Sequence, residues 1–212
     1  MFNTVLLVVL GIALQFIIGL GLALVVIEEL RGKRFFIPLL MLPVMMTPVV
    51  VALGWRLLWD SQYGPINHIL SFILRRDVDI LWLTNKWTAL FAILVTDVWQ
   101  WTPFMFLILL AGLSALNPEL YEAAALDGAG WWQELRAITL PGLAPVIAVA
   151  IIFRALDAFK IFDQIFMLTQ GQPGTSTETI SWYIYQVGYK FFNMGYIRAP
   201  KAYICPTDPH PE

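Results

Sequence analysis

Residues 122–141 read EAAALDGAGWWQELRAITLP, a short polar segment between two strongly apolar stretches. The consecutive alanines Ala123, Ala124 and Ala125 favour helix and leave a slim face that can enter a cleft on a partner. Gly128 then weakens the helix and permits a sharp bend or a close backbone approach. Pro141 fits the first turn of a following helix, where its missing N–H is not needed. The segment therefore reads as helix, bend and second helix, held at a membrane surface by the apolar runs on either side. Spacing alone fits an ordinary helical hairpin between two spans equally well.

Composition supports the membrane setting. The 212-residue chain is 59% hydrophobic and 13% charged, with a mean hydropathy of +0.72. Soluble domains carry about 25% charged residues, so an ordinary soluble surface is excluded. A net charge of -2 gives no sign of a nucleic-acid partner. The single cysteine, Cys205, forms no intrachain disulfide and no cysteine-based zinc cluster. His68 and His210 lie far apart and show no metal-ligand spacing. No G-x-x-x-x-G-K-[ST] loop is present, since the glycine- and threonine-bearing run 171–179 lacks the lysine. H-E-x-x-H and G-x-S-x-G are missing too. The sequence thus offers no catalytic residue, metal ligand or cofactor site.

Four segments reach the roughly 20 apolar residues that a helical span requires: 2–27, 35–59, 88–113 and 143–168. The first is too long for a signal-peptide core and has no charged start; Gln15 is its main polar interruption. The second contains Pro38, Pro43 and Pro48 and is expected to be kinked. Arg31, Lys33 and Arg34 follow the first span and place that link in the cytoplasm. Alternation then puts the link 60–87 outside, the link holding Glu122 inside and the tail beyond Leu168 outside. The outer link carries a turn at 63–67 and a short apolar stretch at 69–74 that lies along the outer surface. Trp82 and Trp87 read as interface anchors. Contact with an external partner and simple interfacial packing both fit that link.

Two groups of polar residues stand inside the spans. The third span opens with Asp97-Val98-Trp99-Gln100-Trp101-Thr102-Pro103-Phe104. Ionisable groups at such positions face a protein interior or a wet cavity. Rings that cover C–H faces, beside Asp97 and Gln100 for hydroxyls, suit a sugar; an aromatic belt at the outer boundary fits as well. The fourth span carries Arg154, Asp157, Lys160 and Asp163 at spacings of three, so that neighbours share one side of a helix and can pair. Arg154 and Asp163 suit a structural ion-pair ladder, Asp157 and Lys160 a polar pathway.

The sequence resembles the permease subunits of ABC importers, and within them the carbohydrate permeases of the maltose and glycerol-phosphate type. Glu122-Ala123-Ala124-Ala125-Leu126-Asp127-Gly128-Ala129, closed by Ile138-Thr139-Leu140-Pro141, is similar to that family's EAA coupling loop. The stretch from Phe153 to Asp163, then Leu168-Thr169-Gln170-Gly171-Gln172-Pro173-Gly174, Ser176-Thr177-Glu178-Thr179, Tyr183-Ile184-Tyr185 and Phe191-Phe192, is similar to the carbohydrate members. So are Arg31-Gly32 and Leu42-Pro43, and the similarity covers about residues 2–196.

The resemblance implies an all-α, polytopic transmembrane helical bundle of the MetI-like permease type in a bacterial or archaeal plasma (inner) membrane. Residues 1–198 would form the permease domain and 117–141 its cytoplasmic coupling loop. Glu122, Ala123, Ala124, Asp127, Gly128, Leu140 and Pro141 would meet an ATP-binding subunit, which would hydrolyse the ATP. A second permease subunit, an extracytoplasmic solute-binding protein, a carbohydrate substrate and membrane lipid are the other expected partners. Asp97, Gln100, Trp101, Phe104, Asp157 and Lys160 would line the substrate pathway. The family core has one further span before Phe2 and another after Tyr196, so this chain is expected to lack a first and a last span. Residues 199–212 form an atypical polar, proline-rich tail with four prolines. A secondary carrier that couples through the intramembrane charges, or an inactive truncated or structural membrane subunit, are the alternative readings.

Overall fold

A computed structural model describes residues 2–27, 33–76, 79–174 and 176–190. These residues form helices α1 (Phe2–Ile27), α2 (Lys33–Met45), α3 (Pro48–Leu58), α4 (Pro65–Leu74), α5 (Lys86–Ser114), α6 (Pro118–Leu126) and α7 (Trp131–Glu134). Helices α8 (Leu140–Ala158), α9 (Asp163–Leu168) and α10 (Ile180–Tyr185) follow, and π-helical turns occupy Leu135–Thr139 and Gln186–Lys190. No strand occurs among the described residues. The all-α expectation holds; the tail at 199–212 lies outside the described residues.

Three continuous helices are long and apolar enough to cross a membrane: Phe2–Ile27, Lys86–Ser114 and Trp131–Ala158. Helices α2 and α3 make a fourth only as a pair bent by 93°. The kink expected from the prolines thus becomes a break. Pro38 and Pro43 stay inside α2, and the helix fails just ahead of Pro48. A residue before proline disfavours the helical region, and there the Met46 N–H turns to the Pro43 carbonyl at 3.3 Å. Helix resumes when Val51 N–H reaches the Thr47 carbonyl at 3.1 Å.

The fourth expected span, 143–168, is displaced. Its helix begins at Trp131 and ends at Ala158, and α9 is a separate helix. Carbonyls released at the end of α8 find hydroxyl donors near the start of α10. Ser181 Oγ donates to Phe159 O (3.2 Å), and Thr179 Oγ1 to Ile161 O (3.4 Å). A ladder of four charges along one helix is therefore overturned. Arg154 and Asp157 lie on α8, Lys160 in the turn after it, and Asp163 at the start of α9.

The chain divides into two compact units. The first draws on the described parts of Met1–Val8, Ala52–Leu94 and Phe159–Glu212. In it Trp55, Trp59, Trp82 and Phe91 pack in one cluster, and Phe162, Phe166, Trp182 and Tyr185 in another. Asn3 Nδ2 donates to Ser176 O (2.8 Å), and Arg56 to Met167 O (2.9 Å). The second unit is Val9–Val51 with Val95–Ala158. Its core joins α1, α5 and α8 through Ala23, Val26, Met105, Phe106, Leu109, Leu143 and Ala150. Small residues let membrane helices approach closely: a Cβ at Gly112 would lie 2.9 Å from both Leu143 and Val146 side chains.

Candidate functional site

Residues 117–141 form a compact helix–bend–helix. Asn117 caps α6 by accepting from Glu119 N–H at 3.1 Å, and Pro118 takes the first helical position. The helix stops at Gly128, whose φ is +77°. Gly128 N–H bonds the Ala125 carbonyl (3.1 Å) and Ala129 N–H the Ala124 carbonyl (2.9 Å), which closes the last turn. No atom lies within 4 Å of where a Gly128 Cβ would stand, so the backbone and not crowding calls for glycine here. Gly130 starts the next helix, and its N–H donates to Gln133 Oε1 at 2.8 Å.

Pro141 stands in the first turn of α8, within a helical run that already starts at Trp131. It is the second residue of α8, ten residues after Trp131. Leu140 N–H instead bonds the Leu135 carbonyl, five residues back, and the π turn absorbs the change of spacing that leads into a residue with no N–H. Glu122, Ala123, Asp127, Gly128 and Pro141 are exposed, and Ala124 and Leu140 half-buried. Leu126 is 90% exposed, and Trp132 beyond the bend 72%. Tyr121 anchors the segment from beneath through its hydroxyl, 3.0 Å from Thr139 Oγ1. Tyr121, Trp131 and Glu134 line a cleft of ≈ 260 Å³ with Leu24 and Leu113.

The intramembrane polar groups meet on three helices. Arg154 of α8 is 1% exposed and donates from Nη2 to Asp97 Oδ2 at 2.5 Å. Its Nε donates to Gln15 Oε1 (2.8 Å) and its Nη1 to Asp157 Oδ2 (3.2 Å). Gln15 Nε2 in turn donates to Asp97 Oδ2 (2.9 Å). Trp101 lies with its ring centroid 5.1 Å from the guanidinium and meets Phe104 edge-on at 6.2 Å. Asp97 stands eleven residues beyond Lys86, inside α5 and not at its opening. Pro103 leaves α5 continuous, while Thr102 Oγ1 donates to Val98 O at 2.6 Å.

A buried charge without a partner is strongly unfavourable, and each member of this knot supplies one. Asp157 is the open edge, with 49% of its side chain accessible. Gln100 is buried and donates to Met46 O at 3.3 Å, at the break between α2 and α3. Asp97, Gln100, Trp101, Phe104 and Asp157 thus share one unit, whereas Lys160 falls in the turn outside α8. Gln15 joins this knot without having stood out in the sequence as a site residue. Its only signal was an amide in an otherwise apolar run, where burial demands a hydrogen-bonding partner.

Residues 8–199 match the family described as "Binding-protein-dependent transport system inner membrane component". The chain is 40% identical over 185 residues to a trehalose/maltose transport system permease protein of Thermococcus litoralis, covering 87% of this chain and 61% of that protein. It is 36% identical over 185 residues to a trehalose transport system permease protein of Mycobacterium tuberculosis, covering 87% of this chain and 58% of that protein. It therefore spans about three fifths of the length of these curated relatives. Among solved structures, a bacterial ABC transporter involved in the import of the acidic polysaccharide alginate matches with a TM-score of 0.79 at 30% identity, over 90% of this chain and 67% of that one.

Proposed function

The chain belongs to the family of binding-protein-dependent transport system inner membrane components, and from that premise we propose that it is a membrane-spanning permease subunit of an ATP-driven sugar importer. The observation that carries this reading is the segment 117–141. Its first helix ends in a bend that calls for Gly128 and leaves Leu126 and Asp127 exposed. A rigid helix with an exposed tip can transmit a push from a partner. That partner is an ATP-binding subunit, which carries out the hydrolysis, and the contact is made by Glu122, Ala123, Ala124, Asp127 and Gly128. Leu140 and Pro141 continue the segment into the span, so that movement of the tip is passed to α8.

A second permease subunit completes the pathway, and a solute-binding protein delivers the substrate from the opposite side of the membrane. A solved alginate transporter, 29% identical with a TM-score of 0.79 over 91% of this chain and 67% of that one, is described in complex with an alginate pentasaccharide-bound periplasmic protein. The names of the relatives favour a carbohydrate substrate. Trp101 and Phe104 offer ring faces to sugar C–H groups, and Asp157 is the accessible acceptor for a hydroxyl. Asp97 and Gln100 support them while holding Arg154 and the Met46 carbonyl. Lys160, in the turn after α8, is the remaining pathway candidate.

The test is a reconstituted complex with the ATP-binding subunit, second permease and binding protein supplied. Gly128→Val should lower capture of the ATP-binding subunit and abolish most uptake while leaving membrane insertion intact. Asp157→Ala should lower trehalose or maltose uptake at least several-fold with capture unchanged. Normal capture and uptake in both variants would sink the reading.

A further inference from the structure

Helix α4 spans ten residues, or about 15 Å, half of what a membrane crossing needs. Its two faces differ sharply. On the inner face Asn67 is buried, and its Nδ2 donates to Ser61 O (3.3 Å) and Ile80 O (3.2 Å). Trp82 Nε1 donates to Asn67 Oδ1 at 2.7 Å. The outer face presents Ile69 at 58% exposure, Phe72 at 85% and Ile73 at 68%. The helix therefore holds Asn67 against its own unit and, apart from His68 near its start, turns large apolar side chains outward, the reverse of an amphipathic helix on a water-facing surface.

The depth of α4 is set by the aromatic cluster to which Asn67 ties it. Trp82 lies 5.0 Å from the ring of Trp59, the residue directly after α3, and 6.4 Å from Phe91 in the second turn of α5. At the first turn of α5, Lys86 Nζ stands 5.5 Å from the ring of Trp87. Aromatic rings and cations gather where a span meets the headgroups. Helix α4 is thus fastened at the level where these two spans end. Its C-terminus carries Arg75 and Arg76, both exposed, with Arg75 at φ +50° and the Arg76 N–H on the Ser71 carbonyl (3.3 Å). An apolar face that ends in two exposed guanidinium groups at boundary depth, ahead of Asp77 and Asp79 in the sequence, fits an anionic lipid leaflet.

We propose that α4 is an in-plane helix that seats Ile69, Phe72 and Ile73 among the acyl chains of one leaflet and binds anionic phospholipid headgroups through Arg75 and Arg76. This contact is independent of the coupling segment and of the sugar pathway.

The full chain carrying Cys205→Ser tests this in phosphatidylcholine vesicles with and without phosphatidylglycerol. A nitroxide placed at Phe72→Cys should be relaxed several-fold more by oxygen than by a water-soluble nickel complex. At Gln62→Cys, in the exposed turn before α4, the order should reverse. Equal nickel access at both sites would overturn the seating in lipid. So would shielding of the Phe72 label that appears only when a solute-binding protein is added, since the face would then belong to a protein. For the headgroups, spin-labelled phosphatidylglycerol should show a larger motionally restricted fraction than spin-labelled phosphatidylcholine. Arg75→Gln with Arg76→Gln should remove that preference and leave the Phe72 label oxygen-accessible. An unchanged preference in the double variant would refute the headgroup site. Both arginines are solvent-exposed, so these variants do not disturb the packing.

Discussion

Arg154 shows how one side chain sets the rules for its neighbours. It is fully enclosed, and Asp97, Gln15 and Asp157 satisfy its donors. Breaking a buried pair from one side leaves a bare charge and costs about 3–5 kcal/mol, whereas removing both charges together is far milder. Arg154→Met and Asp97→Asn should each lower the thermal midpoint of the purified chain more than the double variant does. Additive losses would show that the two groups are not coupled. Glu178 behaves differently. It lies in the loop before α10, where burial raises its carboxyl above the ordinary 4.5. The folded state therefore binds this proton more tightly than the unfolded chain. Its contribution to stability is complete below the ordinary value and is lost as pH rises through the raised one. Glu178→Gln should flatten the pH dependence of unfolding over that interval, and an unchanged profile would refute the assignment.

At the scale of elements, a side-chain hydrogen bond between Tyr121 and Thr139, two residues ahead of Pro141, ties α6 to its unit. Such bonds contribute about 0.5–1.5 kcal/mol. Tyr121→Phe or Thr139→Val should thus speed amide exchange across 118–126 while leaving α8 protected. Equal exchange in variant and parent would mean that the helix is held by its apolar contacts alone. The bend at Gly128 and the apolar lengths of the spans were legible in the sequence, because a glycine between alanines and a long hydrophobic run each have few structural solutions. The end of α8 at Ala158 was not legible. It depends on carbonyls capped by Ser181 and Thr179, more than twenty and nearly twenty residues further on. The pairing of Arg154 was hidden for the same reason. Spacing within one helix offered Asp157, whereas the shorter contact comes from Asp97 on another helix, with Gln15 on a third. The seam between α7 and α8 was also missed, since a π turn spaces its hydrogen bonds in a way that hydrophobic periodicity does not reveal.

Across the whole molecule, large apolar side chains are exposed along α1, α2, α3, α5 and α8, as lipid-facing helices require. Most of those helices are long enough for the task, and the pair α2–α3 is the exception. With 13 and 11 residues its legs rise about 20 and 16 Å. At a bend of 93° they cover at best about 25 Å of thickness, against a hydrocarbon layer of about 30 Å. The pair is therefore shorter than the bilayer that its straight neighbours fit, and local thinning of the lipid around the bend is one way to meet the mismatch. Membrane thickness becomes a variable that acts on this chain. Shorter acyl chains should favour the bent form and slow amide exchange at Met46 and Thr47, while longer ones should pull the legs toward a straight span and loosen the Gln100 contact with the Met46 carbonyl. Exchange that is indifferent to acyl length would show instead that protein, and not lipid, fills the missing depth.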